Sequence, residues 1–187
     1  MDTLTMLRSY LTTALLATLA LLATTTQGAE LRTLAMAEPQ PAISKIGTVS
    51  EVVVRKAERR LYLLSGERVV RDYRISLGKT PEGHKLYEGD SRTPEGDYTL
   101  DFRNPNSDFY KSIRVSYPSP RDRKLAEAWG LRPGGNIMIH GLPNDVGDMA
   151  FAYKGLDWTD GCIAVNNEEM DEIWQLVEVG TPIRILP

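Results

Sequence analysis

One cysteine and two histidines carry most of the nucleophilic and acid–base potential of this chain. Cys162 is the sole cysteine and stands in Trp158-Thr159-Asp160-Gly161-Cys162-Ile163-Ala164-Val165; His140 ends the apolar run Asn136-Ile137-Met138-Ile139 and precedes Gly141. The second histidine, His84, lies in a stretch dense in glycine, proline and charge. A thiol is nucleophilic as the thiolate, so at neutral pH it needs a base. His140 is the better placed of the two. At a strand end, beside a glycine that admits an unusual backbone turn, its imidazole can emerge next to another strand end. Cys162 likewise follows a glycine in a strand-flanking turn, where backbone N–H groups can point at a developing oxyanion. The other reading of both residues is structural, a small buried hydrophobe and a satisfied core histidine. Spacing alone leaves both open. Zinc fits poorly, because one cysteine and two scattered histidines show no ligand spacing.

The elements that must position these residues are mostly short strands. Val49–Lys56 reads as a strand, and Arg60–Leu64, Ser65-Gly66 and Val69–Ile75 read as a hairpin around a glycine-containing turn, with imperfect alternation in its second arm. Asp97–Phe102 and Lys111–Tyr117 are strand-like and flank the turn-rich Arg103–Asp108; Asn136–His140 reads as a buried strand, and Thr181–Leu186 closes the chain as another. Arg121–Trp129 is expected as a short helix ended by Gly130. In Asn167–Val179 the apolar Met170, Ile173, Trp174 and Val177 recur at helical spacing behind a first turn rich in acids, so this is the strongest helix, and those residues are core. Residues 78–96, in which Thr-Pro-Glu-Gly occurs twice, form a long loop without a regular pattern, either functional or a mobile surface excursion. The expected class is mainly β (β-rich α+β): antiparallel strands in a sandwich- or barrel-like domain with one packed C-terminal helix and a second short one.

The chain has 187 residues, enough for one domain with a sizeable core, and its 42% hydrophobic and 25% charged residues are those of a globular protein. A net charge of -3 without charge blocks gives no sign of nucleic-acid binding. Residues 11–23 are apolar and follow Arg8; the run is short of the roughly 20 residues that span a bilayer but suits an export signal. Small residues around Gly28–Ala29 and at Ala35-Met36-Ala37 offer cleavage sites, giving a signal peptide over 1–37, a linker over 38–47 and a domain over 48–187. If the signal is left uncleaved, it is the only contact with a membrane that this reading contains. No cysteine lies near the run, which excludes lipid attachment of the bacterial lipoprotein kind. An exported chain with a single cysteine cannot form an internal disulfide, so the thiol is free or pairs between chains.

Taken together, Ile139-His140-Gly141, the seventeen residues Leu142–Trp158, and Thr159-Asp160-Gly161-Cys162-Ile163 resemble the signature of the L,D-transpeptidase (YkuD-type) family of bacterial cell-wall enzymes. The Thr93–Gly96 motif before a strand and the opening hairpin are similar to family elements too, so the resemblance runs from about Val49 to Leu186. It implies that Cys162 is the nucleophile, His140 its base, and the Gly141 carbonyl the group that orients the imidazole. The oxyanion hole would come from the backbone N–H groups of Asp160, Gly161 and Cys162. The substrates implied are peptidoglycan stem peptides, a tetrapeptide donor and an amine acceptor. The thiolate would attack the carbonyl before the terminal D-alanine, D-alanine would leave, and the thioester would pass to an amine, forming a 3→3 cross-link or tethering an envelope protein. The place of action implied is the periplasm or cell envelope, in cell-wall organisation and cell shape, with no cofactor and no metal.

Two positions depart from the family pattern. Asp160 stands where a histidine is usual, so His140 acts without a second histidine, and a nearby carboxylate raises a thiol pKa. Ala164 replaces a common arginine or asparagine, leaving substrate contacts to others: Arg92, Arg114 and Arg132 are candidates by type, together with Thr159, Trp158 as a cleft wall, and His84. The loop Glu88–Gly96 is similar to that of a subgroup that includes hydrolases. The same chemistry with water as acceptor gives a carboxypeptidase, or an amidase that releases wall-bound protein; a non-catalytic wall-binding module is the third reading.

Overall fold

The computed structural model describes residues 47–187; the expected export segment (1–37) and nearly all of the linker (38–47) lie outside the described residues. The strands are β1 (Glu51–Arg55), β2 (Arg60–Ser65), β3 (Arg68–Arg74), β4 (Gly96–Ser107), β5 (Tyr110–Val115), β6 (Met138–His140), β7 (Ile163–Ala164) and β8 (Pro182–Leu186). Two α-helices, α1 (Pro120–Ala128) and α2 (Asn167–Leu176), and a short 3-10 helix (Gly147–Tyr153) complete the described elements. The strands form one sheet in the order β3-β2-β1-β8-β4-β5-β6-β7. Its pairings are antiparallel except two, β1 with β8 and β6 with β7, which the expectation of antiparallel strands did not include. A bridge between Ser76, just after β3, and Ala164 in β7 joins the two ends of that order, so the sheet curls toward a barrel.

Local chemistry explains most boundaries. The β2–β3 hairpin turns on Gly66-Glu67, with Gly66 at φ 61, where a side chain would be strained. A register shift at Leu63/Leu64 lets Val70 and Arg71 both be buried, which accounts for the imperfect alternation of β3. Strand β4 is longer than expected. Arg103–Ser107 continue it instead of forming a turn, and Pro105 falls inside the register shift between Asn104 and Ser107, where the ladder needs no N–H from it. This strand gives residues 96–99 to β8 and the remainder to β5, so it carries the curl of the sheet.

Both α-helices begin on a capping box: Ser119 with Asp122 for α1, which has Pro120 in its first turn, and Asn166 with Glu169 for α2. Helix α2 is shorter than the sequence pattern suggests, since Val177 already has extended backbone. Met170 and Ile173 are fully buried and Val177 is 1% exposed, each burial contributing about 1.5–3 kcal/mol. Trp174 is only partly buried and lies under the Arg103 guanidinium, 3.9 Å from the ring centre. The core these residues meet is built from the inward positions of the strands, among them Val52, Val54, Leu61, Leu63, Ile113, Ile139, Ile163, Ile183 and Ile185.

The loop 78–95 is tied down along its length, which removes the reading of a mobile excursion. Lys56, 2% exposed at the end of β1, donates to the carbonyls of Gly83 (2.6 Å) and Thr93 (3.0 Å) and to the Glu95 carboxylate (2.7 Å). Among the described residues, no helix is long and apolar enough to cross a membrane.

Candidate active site

The parallel pairing of β6 and β7 brings the segments carrying His140 and Cys162 together. Ile139 lies opposite Ile163 and His140 opposite Ala164. Side chains alternate along a strand, so the fully buried Ile139 and Ile163 turn into the core. His140 and Cys162, one residue on either side of that pair, stand on the other face. Both line one cavity of about 580 Å³, whose walls also include Met138, Asn136, Phe109, Trp158, Thr159 and Asp160.

The ring of His140 is 3% exposed and is held between Phe109 (centroids 4.7 Å apart) and Trp158 (5.7 Å, edge to face). Nδ1 lies 2.6 Å from the carbonyl oxygen of Gly141. A carbonyl can only accept, so Nδ1 carries the proton and donates it there, leaving the Nε2 lone pair to act as a base. Burial pushes the pKa of His140 below its ordinary value, only partly opposed by the bond to Gly141, and so favours the neutral imidazole. Gly141 itself has no room for a side chain. A Cβ there would meet Asn167 Oδ1 at 2.6 Å and Tyr110 Cβ at 2.9 Å. The Oδ1 of Asn167 accepts the N–H of Leu142 (2.9 Å), and the Gly141 N–H donates to Phe109 and Lys111 carbonyls, so the backbone carrying the orienting carbonyl is pinned on both sides.

The turn that presents Cys162 is closed by Thr159. Its hydroxyl donates to the Cys162 carbonyl (2.8 Å) and accepts the Gly161 N–H (3.1 Å). Gly161 has φ 125, and a Cβ there would sit 2.5 Å from the Arg92 carbonyl oxygen. Only glycine fits both the angle and the space. The thiol is half-buried, with Sγ 3.5 Å from the Asn136 carbonyl. Burial pushes its pKa up, a backbone N–H at Met138 pulls it down, the Asp160 carboxylate pushes it up and the Lys85 ammonium pulls it down, with a net rise. The Asp160 carboxylate turns outward. Its side chain is 78% exposed, pairs with Lys79 Nζ at 2.8 Å and lies 3.4 Å from Ser91 Oγ.

The remaining expected site residues separate clearly. Trp158 lines the cavity, and it also walls a neighbouring cavity of about 630 Å³ that contains Tyr110, Ala164 and Asn167. Thr159 lines the cavity too, but its hydroxyl is spent on the turn. Among the described residues, the N–H groups of Asp160 and Cys162 have no protein acceptor, whereas that of Gly161 is used by Thr159. Arg92, His84 and Arg132 do not line the cavity. Arg92 reaches the site through its carbonyl against Gly161. His84 is engaged elsewhere, with Nδ1 accepting the Glu95 N–H (3.0 Å) and Nε2 3.2 Å from Asp122. Arg132 is 89% exposed and pairs with Glu88, and Arg114 pairs with Asp101.

Residues that sequence reasoning missed come from the tip of the β4–β5 hairpin. Asn104, Asn106, Ser107, Asp108 and Phe109 form one side of the cavity. Asn144 fastens that tip to the segment after His140, since its Nδ2 donates to the Ser107 carbonyl (2.9 Å) and its Oδ1 accepts the Tyr110 N–H (2.9 Å). Asn136, at φ 56, is the other omission; two glycines followed by asparagine before a strand is the signal that could have found it. Among the described residues, no group of three or more His, Cys, Asp and Glu could hold a metal ion.

A family profile described as the L,D-transpeptidase catalytic domain, YkuD, matches residues 50–185. The chain is 32% identical over 139 residues to YafK of Escherichia coli (strain K12), covering 71% of this chain and 48% of YafK. It is 27% identical over 139 residues to YqjB of Bacillus subtilis (strain 168), covering 72% and 69%. Among solved structures, the helical cell shape determining protein Pgp2 of Campylobacter jejuni is similar at a TM-score of 0.57 and 26% identity, over 73% of this chain and 47% of Pgp2. An L,D-transpeptidase from Mycobacterium smegmatis shares the fold, with a TM-score of 0.50 and 18% identity over 75% and 60%. The chain spans about half the length of YafK and of Pgp2. With the profile running from the first strand to the last, the chain belongs to the YkuD family of L,D-transpeptidase catalytic domains.

Proposed function

We propose that this protein is an exported cysteine acyltransferase of the cell envelope, acting on peptidoglycan stem peptides through a thioester at Cys162, with a consequent role in cell-wall organisation and cell shape. The observation that carries this reading is that Cys162 and His140 share one cavity, with Nδ1 of His140 fixed on the Gly141 carbonyl. Nε2 of His140 takes the thiol proton as Sγ attacks the carbonyl before the terminal D-alanine. The oxyanion faces the N–H groups of Asp160 and Cys162. Collapse breaks the C–N bond, and His140 returns the proton to the departing amine of D-alanine. An acceptor amine then attacks the thioester, loses a proton to His140, and the thiolate leaves and is reprotonated. Gly161 serves here by lacking a Cβ, and Trp158 by walling the cavity.

The test is incubation of the purified full chain with disaccharide-tetrapeptide. Release of D-alanine is expected, abolished by Cys162→Ala and slowed roughly 10²–10⁴-fold by His140→Ala. A dimeric product identifies an amine acceptor, and tripeptide alone identifies water. Wild-type protein that turns over no stem peptide would overturn the proposal.

A further inference from the structure

The loop 78–95 is not explained by the chemistry of Cys162 and His140. It has no regular secondary structure, yet two of its charged residues are buried, Lys85 at 3% exposure and Asp90 at 8%. They form an ion pair at 2.7 Å, and Lys85 Nζ also donates to the Tyr87 carbonyl (3.1 Å). The Asp90 carboxylate accepts three backbone N–H groups as well: Leu86 (2.7 Å), Tyr87 (3.2 Å) and Arg92 (3.0 Å). One side chain thus fixes backbone on both sides of itself. Burial pushes the Asp90 carboxyl up, but the Lys85 ammonium and the three N–H groups more than offset it, and its pKa lies below the ordinary value.

The residues that follow Asp90 touch the nucleophile turn. The Ser91 carbonyl accepts the Thr80 N–H (3.1 Å) and presses on Gly78, where any Cβ would overlap it. Gly78 in turn bridges Thr159. The Arg92 carbonyl closes on Gly161 itself. Two consecutive carbonyls, one and two residues past Asp90, therefore set the clearance beneath Thr159–Cys162. A buried ion pair adds little net stability over an apolar pair of similar volume, because desolvating both ions offsets their attraction. What it does supply is fixed geometry.

We propose that the buried Lys85–Asp90 pair is a positioning element for the nucleophile, holding the Ser91 and Arg92 carbonyls as the seat on which the Thr159–Cys162 turn rests. This rests on reading Cys162 as the nucleophile. Asp90→Asn keeps the side chain's size but turns an NH₂ group toward Lys85 or a backbone donor, so the seat loosens. The rate and pH profile of Cys162 alkylation by iodoacetamide, followed by intact mass from neutral to alkaline pH, report the turn without any peptide substrate. Expected in Asp90→Asn are an alkylation profile displaced from wild type and a roughly tenfold to hundredfold lower kcat for D-alanine release. KM for the tetrapeptide should stay within about threefold, since the loop does not line the cavity. The double variant Lys85→Met/Asp90→Leu removes both charges without stranding one and should show the same kcat loss with a folded circular dichroism spectrum. Folded variants with wild-type alkylation and kcat overturn the proposal. Failure of both variants to fold overturns it too, because the pair is then a stability element. If wild-type protein is alkylated but releases no D-alanine, the functional reading fails, while the alkylation profiles still decide the role of the pair.

Discussion

At the scale of single residues, Cys162 and His140 line one cavity, and each is pushed toward its neutral form. Burial raises the Cys162 pKa and lowers that of His140, so each charged form is disfavoured. In the proposed mechanism the thiolate is generated as the substrate arrives, with the proton passing to Nε2 of His140. Asp160 stands where the family usually has histidine, and its carboxylate opposes ionisation of the thiol. Pairing with Lys79 and 78% exposure of the side chain keep that opposition small. Asp160→Asn should therefore speed alkylation of Cys162 at a fixed, mildly alkaline pH by only about twofold, with the gain shrinking as salt is added. The backbone N–H at that position survives the change, so the proposed oxyanion hole is left intact. Slower alkylation in the variant would mean that the carboxylate assists the thiol instead of hindering it.

At the scale of elements, the site depends on close backbone approaches more than on side-chain contacts. Gly161 faces the Arg92 carbonyl, and that carbonyl cannot retreat cheaply because Asp90 holds the Arg92 N–H. Gly161→Ala is expected to strain the turn by about 1–3 kcal/mol, seen as a lower urea midpoint, and to reduce D-alanine release by roughly a hundredfold. Stability and activity equal to wild type would show that the seat is softer than its geometry implies. The sequence showed the elements well where periodicity is strong. The hairpin and both helices were legible, because turn glycines, capping residues and apolar spacing are local signals. What it hid was non-local. Nothing in Asn104–Phe109 announces that a strand continues through Pro105 and ends over a histidine thirty-odd residues on. The parallel pairing of β6 with β7, which puts His140 and Cys162 on one face, involves two strands of three and two residues, too short for any period to register. By type Arg92 is a candidate for its guanidinium, whereas its carbonyl is what meets the site; sequence cannot tell which end of a residue is used.

At the scale of the whole molecule, His140 is buried almost as fully as the core, at 3% exposure. Its Nδ1 is bonded to the Gly141 carbonyl, but burial disfavours the charged ring, and that links its protonation to folding. Its folded pKa is below the ordinary 6.5 of an unfolded histidine. Above pH 6.5 neither state holds the extra proton, and the residue contributes no pH dependence. As pH falls below 6.5 the unfolded chain takes up a proton that the folded one refuses, so stability declines until the folded ring also titrates. The maximum slope from one such group is about 1.4 kcal/mol per pH unit. Asp90 adds a second loss of the opposite chemical origin. Its folded pKa lies below the ordinary 3.8, so its contribution is complete above that value and disappears as pH drops below it. Thermal midpoints measured in a pH series should therefore fall in two stages, the first beginning near 6.5 and the second below 3.8. His140→Gln should flatten the first stage and leave the second, and Asp90→Asn should leave the first and reduce the second, to which the depressed carboxyls of Glu58, Asp160 and Asp171 also contribute. If His140→Gln keeps the wild-type slope just below pH 6.5, the imidazole is not held neutral by burial, and the proposed proton transfer from Cys162 would start from a different pair of charge states.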